Sequence, residues 1–251
     1  MMKKILITTL FSFTSLMALS NLEIAQRSDQ TSDGFGSSIA QMEMILINGS
    51  GEKRIRKMEM KTLEGKEGDK TLSTFLTPAD IKGTKTLTHE HTNRDDDQWL
   101  YLPALKRIKR IASRNKSGSF MGSEFSYEDI GNQHYDKFTY EDGVQEVELD
   151  GVRCYKGVRI PKDNYSGYTK QVSWIDTTHF LLQKIDYYDR KGALLKTARF
   201  YNYQQVDGIW RVGKIEMINH QNDKRTILIW EKDTIHAGLD AKDFSKRVLK
   251  P

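Results

Sequence analysis

QMEMILINGSGEKRIRKMEMK, residues 41–61, decides what kind of fold this chain can adopt. Met42, Met44 and Leu46 alternate with Gln41, Glu43 and Ile45. The chain then passes Asn48-Gly49-Ser50-Gly51, and Met58 and Met60 alternate with Lys57, Glu59 and Lys61. Successive side chains of a strand point to opposite faces and glycine-rich turns reverse the chain, so the stretch predicts a β-hairpin with one methionine-lined face. Methionine is flexible and polarisable. Such a face can fill irregular gaps in a core or accept an apolar guest, and the pattern leaves both open.

The same texture continues on the C-terminal side. Thr71–Leu76, Lys85–His91, Val152–Ile160, Tyr168–Ile175, Leu181–Tyr188, Leu194–Tyr203, Ile209–Asn219 and Arg225–Thr234 all read as strands. Asp142-Gly143, Asp150-Gly151 and Asp207-Gly208 stand between β-like runs, and Asp-Gly is among the strongest short-range hairpin signals. Helical periodicity is scarce: a weak signal at Glu23–Arg27, and short helix or loop segments at Ser119–Tyr127 and Asp240–Phe244. The expected architecture is mainly β, an antiparallel meander. A meander with so little helix exposes an apolar face unless it closes into a barrel, pairs with a second sheet or wraps around something. Trp99, Trp174, Trp210 and Trp230 lie on four predicted strands, which fits a curved sheet lining a cavity and a packed sandwich equally well.

The N-terminus predicts the compartment. Lys3 and Lys4 precede an apolar and hydroxyl run from Ile5 to Leu19, and Ala18-Leu19-Ser20 places small residues where a signal peptidase reads. Residues 1–20 are expected to be a secretory signal cleaved near Ser20. No cysteine lies there to carry a lipid anchor, so 21–251 is expected as one soluble periplasmic domain. The formal charge is +5, and losing Lys3 and Lys4 leaves a mildly basic chain, which makes nucleic acid a poor partner. Cys154 is the single cysteine, so no internal disulfide can form.

Signatures of catalysis are missing. There is no Gly-x-Ser-x-Gly elbow, no phosphate loop, and no histidine adjacent in sequence to Cys154. His89-Glu90-His91 followed by Asp95, Asp96 and Asp97 is the one constellation with a metal-like pattern, because residues two apart on a strand share a face. An exposed polar turn has the same texture. The expectation is no enzyme, no catalytic residues, no metal and no cofactor.

DDDQWLYLPALKRIKRIASRNKSGSFMGSEFSYEDI, residues 95–130, has an unusual order of textures. Three acids lead into an aromatic run stopped by Pro103, then Lys106, Arg107, Lys109, Arg110, Arg114 and Lys116. The flexible Ser117-Gly118-Ser119 follows, and beyond it Phe120, Met121 and Phe125. A second apolar group beyond a mobile linker reads as a flap over a cavity. The basic run reads as an edge strand guarded by charge, or as a surface docking anionic head groups or an acidic partner.

That stretch, with FLTPADIKGT (75–84), YYDRKGALLKT (187–197), VDGIW (206–210), MINHQN (217–222) and GLDAKDFSKRVL (238–249), resembles the periplasmic outer-membrane lipoprotein-sorting family. Members are LolA-like in fold and are often associated with RND-type exporters. His89 and His91 depart from the acidic or aromatic residues expected there. The resemblance implies a strongly curved antiparallel sheet, an incomplete barrel whose concave face is closed by short helices or loops and holds a lipid. It implies that Trp99, Tyr101, Leu102 and Leu105 line or rim the cavity, that Phe120, Met121, Phe125 and Tyr127 form the flap, and that Met42, Met44, Met58 and Met60 complete the ligand-binding surface. Lys106, Arg107, Lys109, Arg110 and Arg114 become the docking surface. The implied function is a monomeric carrier for lipid or lipoprotein acyl chains, working with an RND-type inner-membrane transporter and an outer-membrane acceptor. A lipid-sensing accessory subunit of an envelope complex, which binds without delivering, is the alternative.

Overall fold

The computed structural model describes residues 19–92, 94–131 and 133–250; most of the expected signal segment, residues 1–18, lies outside the described residues. One antiparallel sheet dominates. Its first half is β1 (Ser37–Ile47), β2 (Lys53–Leu63), β3 (Lys70–Thr77), β4 (Lys85–His89), β5 (Asp97–Leu102) and β6 (Arg107–Ile111). The second half is β7 (Phe138–Tyr140), β8 (Gln145–Leu149), β9 (Val152–Pro161), β10 (Tyr168–Asp176), β11 (Leu182–Asp189) and β12 (Leu194–Tyr201). After the small hairpin of β13 (Gln204–Val206) and β14 (Ile209–Arg211) come β15 (Lys214–Asn219) and β16 (Arg225–Ile235). The order across the main sheet is β6-β5-β4-β3-β2-β1-β16-β15-β12-β11-β10-β9-β7, with β8 also on β9. The long β1 and β16 pair through the middle and join two meanders. The ends, β6 and β7, do not meet, so the sheet is an incomplete barrel.

Local chemistry accounts for the turns. Asp150-Gly151 and Asp207-Gly208 adopt positive φ at both residues (51° and 83°; 50° and 83°), the geometry of tight hairpins whose twist matches the strands they join. The run Ile209–Asn219, expected as one strand, divides at Gly213. There a Cβ would stand 2.5 Å from the Asn202 carbonyl oxygen, and the Gly213 carbonyl instead accepts from Trp230 N–H. The N-terminal helix is longer than its sequence signal. α1 (Asn21–Gln30) is opened by a capping box between Ser20 and Glu23, so the expected cleavage point falls at its N-cap. It crosses β9 closely because Gly157 has no side chain: a Cβ there would lie 1.8 Å from Asn21 Oδ1.

The two faces of the sheet bury different things. On the convex side Leu72, Leu87, Trp99 and Tyr101 pack under the C-terminal turns Ala241–Phe244 and Lys246–Leu249, with Phe244 and Leu249 fully buried. His89 donates from Nε2 to the Phe244 carbonyl (2.6 Å), Lys85 donates to the Val248 carbonyl (2.6 Å), and Lys246 lies 4.3 Å above the Trp99 ring. Trp99 and Tyr101 therefore point away from the concave face on which they were expected. β5 is buried on both sides, and the alternation within Trp99-Leu100-Tyr101-Leu102 does not say which side is which.

Phe244→Ala removes a fully buried ring from the seal over β3–β5. It should cost about 3–5 kcal/mol, read as a lower urea midpoint. A change under 1 kcal/mol would show that the C-terminal turns are not structural.

Candidate ligand-binding cavity

The concave face is laid out in cross-strand rows. Phe75, Met58, Met42 and Trp230 stand side by side on β3, β2, β1 and β16, followed by Met44, Leu228, Ile215 and Phe200. A third row runs Met217, Ala198, Ile185, Ser173 and Gly157. The fourth is polar: Asn219, Lys196, Tyr187, Gln171 and Arg159. Apolar rows of this width cannot meet across an open trough, so something must lie in it.

Residues 112–137 do so. The segment leaves β6, crosses the concave face and ends at β7, driving Phe120 and Phe125 into the methionine rows, where they are 1 % and 4 % exposed. It is not a loose flap. Phe120 N–H donates to the Phe125 carbonyl (2.7 Å), Ser119 and Ser123 hydroxyls close the loop onto backbone carbonyls, and Met121 and Gly122 take positive φ at its tip. The expected hinge, Ser117-Gly118-Ser119, is tied back: Gly118 accepts from Tyr127 N–H and Ser119 bridges Ser126.

The segment is pinned to the sheet by a buried ion pair. Asp129, in the short helix α2 (Tyr127–Ile130), lies 2.6 Å from Lys196 Nζ on β12, with side chains 2 % and 5 % exposed. Asp129 also accepts from Tyr168 Oη (2.7 Å) and from Ser126 N–H in the capping box (2.6 Å), and Lys196 also donates to the Glu124 carbonyl (2.9 Å). Burial and the nearby Asp129 charge push the Tyr168 hydroxyl well above its usual range, which keeps it a donor. Further ties come from Asn219 to the Glu124 carboxylate (2.7 Å), Glu124 N–H to Thr226 Oγ1 (3.0 Å), and Arg56 to the Met121 carbonyl (2.5 Å).

Two hollows remain. One of about 130 Å³ lies between Phe120, Phe125 and the methionines, with Trp230 and Leu228 on its wall. The other, of about 230 Å³, lies beneath α1, lined by Ile24, Ala25, Ile185, Phe200 and Met217, with Asp29, Gln133, Tyr140 and Arg159 among its polar residues. Phe125, Asp129 and Ile215 line both and form the partition.

Of the residues singled out in the sequence, Met42, Met44, Met58, Met60, Phe120 and Phe125 come together around the smaller hollow, with Met121 and Tyr127 packed against the same cluster. Leu102 is half-buried at the end of β5, and Leu105 is 62 % exposed. Lys106, Arg107, Lys109, Arg110 and Arg114 are exposed on and around the edge strand β6, with Arg110 paired to Asp97 at 2.5 Å. Sequence reasoning passed over the whole far wall on β10–β12 and β15, and the pinning pair Asp129–Lys196. The alternation of Ile185 and Tyr187 with Lys184 and Asp186 marks a strand face, but only the register joins it to the methionines.

The chemistry available is burial of apolar groups, with a few polar and charged side chains in the wall of the larger hollow. Cys154 is fully buried and its thiol is pushed up to about 11 by that burial, so it stays protonated. His91 bonds Asp97 (3.1 Å), while His89 is committed to Phe244. Among the described residues no group of three His, Cys, Asp or Glu is placed to hold a metal ion. No helix among them is long and apolar enough to cross a membrane.

A family model described as uncharacterized-protein-like matches residues 67–251. No curated protein matches the chain. A domain from Vibrio parahaemolyticus, provisionally described as an outer membrane lipoprotein-sorting protein, is 48 % identical with a TM-score of 0.88, over 92 % of this chain and 98 % of that one. A DUF1329 family protein from Desulfovibrio piger is 32 % identical with a TM-score of 0.86, over 91 % and 97 %. A LolA superfamily protein from Nitrosomonas europaea shares the fold at 18 % identity, TM-score 0.75, over 92 % and 100 %.

Two measurements check this geometry. Lys196→Met strands the Asp129 carboxylate in the interior and should cost about 3–5 kcal/mol, with faster hydrogen exchange over 119–131. Unchanged exchange there would mean the pair does not hold the segment. Burial raises Asp29 to about 6, against the opposing effects of its bond from Tyr135 N–H and of His134 and Arg159. The folded state thus holds this proton more tightly than the unfolded chain, a contribution complete below about pH 4 and lost as pH rises through about 6. Wild type should lose stability relative to Asp29→Asn across that window in thermal melts; parallel curves would contradict the assignment.

Proposed function

This chain belongs to the DUF1329 family of LolA-like proteins, and from that membership we propose that it is a periplasmic carrier of lipid or lipoprotein acyl chains. The observation that carries the reading is the divided hollow on the concave face, greasy on both sides of Phe125. Each buried methylene is worth about 0.8 kcal/mol, so an acyl chain of ordinary length gains on the order of ten kcal/mol by leaving water. A volume of about 230 Å³ is roughly eight times the ~30 Å³ share of a liquid water molecule, room for about eight methylene-sized groups. A longer chain needs both hollows. Displacing Phe125 from the partition joins them, and the segment 112–137 is then the part that moves on loading and release.

On this reading residues 1–20 are a secretory signal and 21–251 a single lipid-binding domain, active as a soluble monomer without catalysis. Delivery runs from a donor, an RND-type inner-membrane transporter, to an outer-membrane acceptor. The exposed cations of β6, at the open edge of the sheet, suit contact with anionic head groups or an acidic partner surface.

Protein purified from its own periplasm should carry a co-purifying acyl lipid detectable by native mass spectrometry, and should move labelled lipid between donor and acceptor vesicles. Absence of any bound lipid, with no response to a fluorescent fatty acid, contradicts the carrier reading. Binding without transfer replaces it with the sensing accessory subunit.

A further inference from the structure

The larger hollow contains a cation that carrying a hydrocarbon does not require. Arg159, on β9, is 8 % exposed and lines the chamber beneath α1. Its Nε donates to Gln171 Oε1 on the neighbouring strand (2.9 Å), and its guanidinium lies 4.1 Å from the centre of the Phe138 ring. Among the described residues its Nη2 has no hydrogen-bond partner. Neither does Nε2 of Gln171, which is 0 % exposed. Two cross-strand neighbours thus carry buried, unused N–H donors, and Arg159 is the one that lines the chamber. Unused buried donors are expensive, and a guanidinium fork is the geometry that grips a carboxylate or phosphate through paired hydrogen bonds.

The surroundings do not neutralise this cation by contact. Asp29, on α1, acts on it through space while its carboxylate takes the Tyr135 N–H (2.7 Å) and lies 4.0 Å from His134 Nε2. The Tyr140 hydroxyl, also in the chamber wall, donates to the Tyr135 carbonyl (2.9 Å) and accepts from the Arg159 guanidinium, which leaves Nη2 as the donor without a partner. Much of the rest of the wall is apolar, with Ile24, Ile175, Leu182, Ile185 and Phe200. Asn21, Ser28, Gln133 and Ser173 add neutral polar groups, and the Asp129 carboxylate is paired with Lys196. A chamber with a fork at one end and hydrocarbon along its length is built for an amphiphile.

We propose that Arg159, held in place by Gln171 behind it, is the head-group anchor of the chamber, and that the ligand is a single-chain amphiphile with an anionic carboxylate or phosphate head. This rests on the carrier reading and adds to it the polarity of the ligand and its direction: head against β9, chain running under α1 toward Phe125. The chamber of about 230 Å³ together with the adjoining hollow of about 130 Å³ beyond Phe125 sets the scale of the probe, a ten-carbon chain.

Isothermal titration of purified, delipidated protein with decanoate, decyl phosphate and decan-1-ol tests it. Wild type should bind at least one of the anions about ten-fold or more tighter than the alcohol, and the tighter of the two identifies the head group. Arg159→Gln should abolish that preference and leave decanol affinity within two-fold. Arg159→Lys keeps the buried charge without the fork and serves if the glutamine variant does not fold; it should lose about five-fold for the anion alone. Equal affinity for all three probes in wild type, or an equal loss for anion and alcohol in the variants, overturns the anchor while leaving the carrier reading intact. That outcome would make Arg159 a tie between β7, β9 and β10, or the site a water-filled pocket only. Failure of every probe to bind overturns both.

Discussion

A half-barrel is wide, and its apolar inner face cannot be covered by its own strands. The structure depends on how that face is filled. Residues 112–137 fill it, and the most deeply buried of the ties that fix them there is the ion pair of Asp129 with Lys196. A buried pair of this kind adds little to net stability compared with apolar packing, but its geometry is demanding and its disruption is severe. It therefore selects one seating of the inserted segment: Asp129 must meet Lys196, Tyr168 and its own helix cap at once. Phe120 and Phe125 are carried to their positions by that constraint as much as by their own hydrophobicity.

The same arrangement explains why the interior is occupied yet not full. The two hollows lie between the segment, α1 and the sheet, and the residue between them is an aromatic side chain of the inserted segment. Opening has a defined energetic shape. Ring burial is lost at Phe125 and Phe120 and charges are separated at Asp129, while an incoming chain restores the buried apolar area. On the proposed carrier function, loading compensates much of the burial that opening gives up, and the closed arrangement keeps the concave face from water.

Much of this is legible in the sequence. Alternation at Met42, Met44, Met58 and Met60 announced a strand face, the Asp-Gly pairs announced tight turns, and the apolar residues beyond Ser117-Gly118-Ser119 announced something covering a cavity. Burial of the central strands hid the rest. β5 is covered on both sides, by the inserted segment and by the C-terminal turns, so its aromatic run has no polar face to reveal its orientation, and Trp99 and Tyr101 lie opposite to expectation. Residues 117–119 are flexible in composition yet tied by backbone hydrogen bonds that no local pattern encodes. Asp129, Lys196, Gln171 and Arg159 look like ordinary surface residues in sequence. Only the registers of β9 to β12 and β15, together with the seated segment, turn them inward.

The central claim is that an acyl chain lies on the concave face beside Trp230 and not on the convex face beside Trp99. Quenching of tryptophan fluorescence by a dibrominated fatty acid measures this directly, in two variants that retain only Trp230 or only Trp99, the other tryptophans replaced by phenylalanine. The account predicts strong, saturable quenching of Trp230 and little of Trp99. Equal quenching of both, or quenching of Trp99 alone, would contradict it.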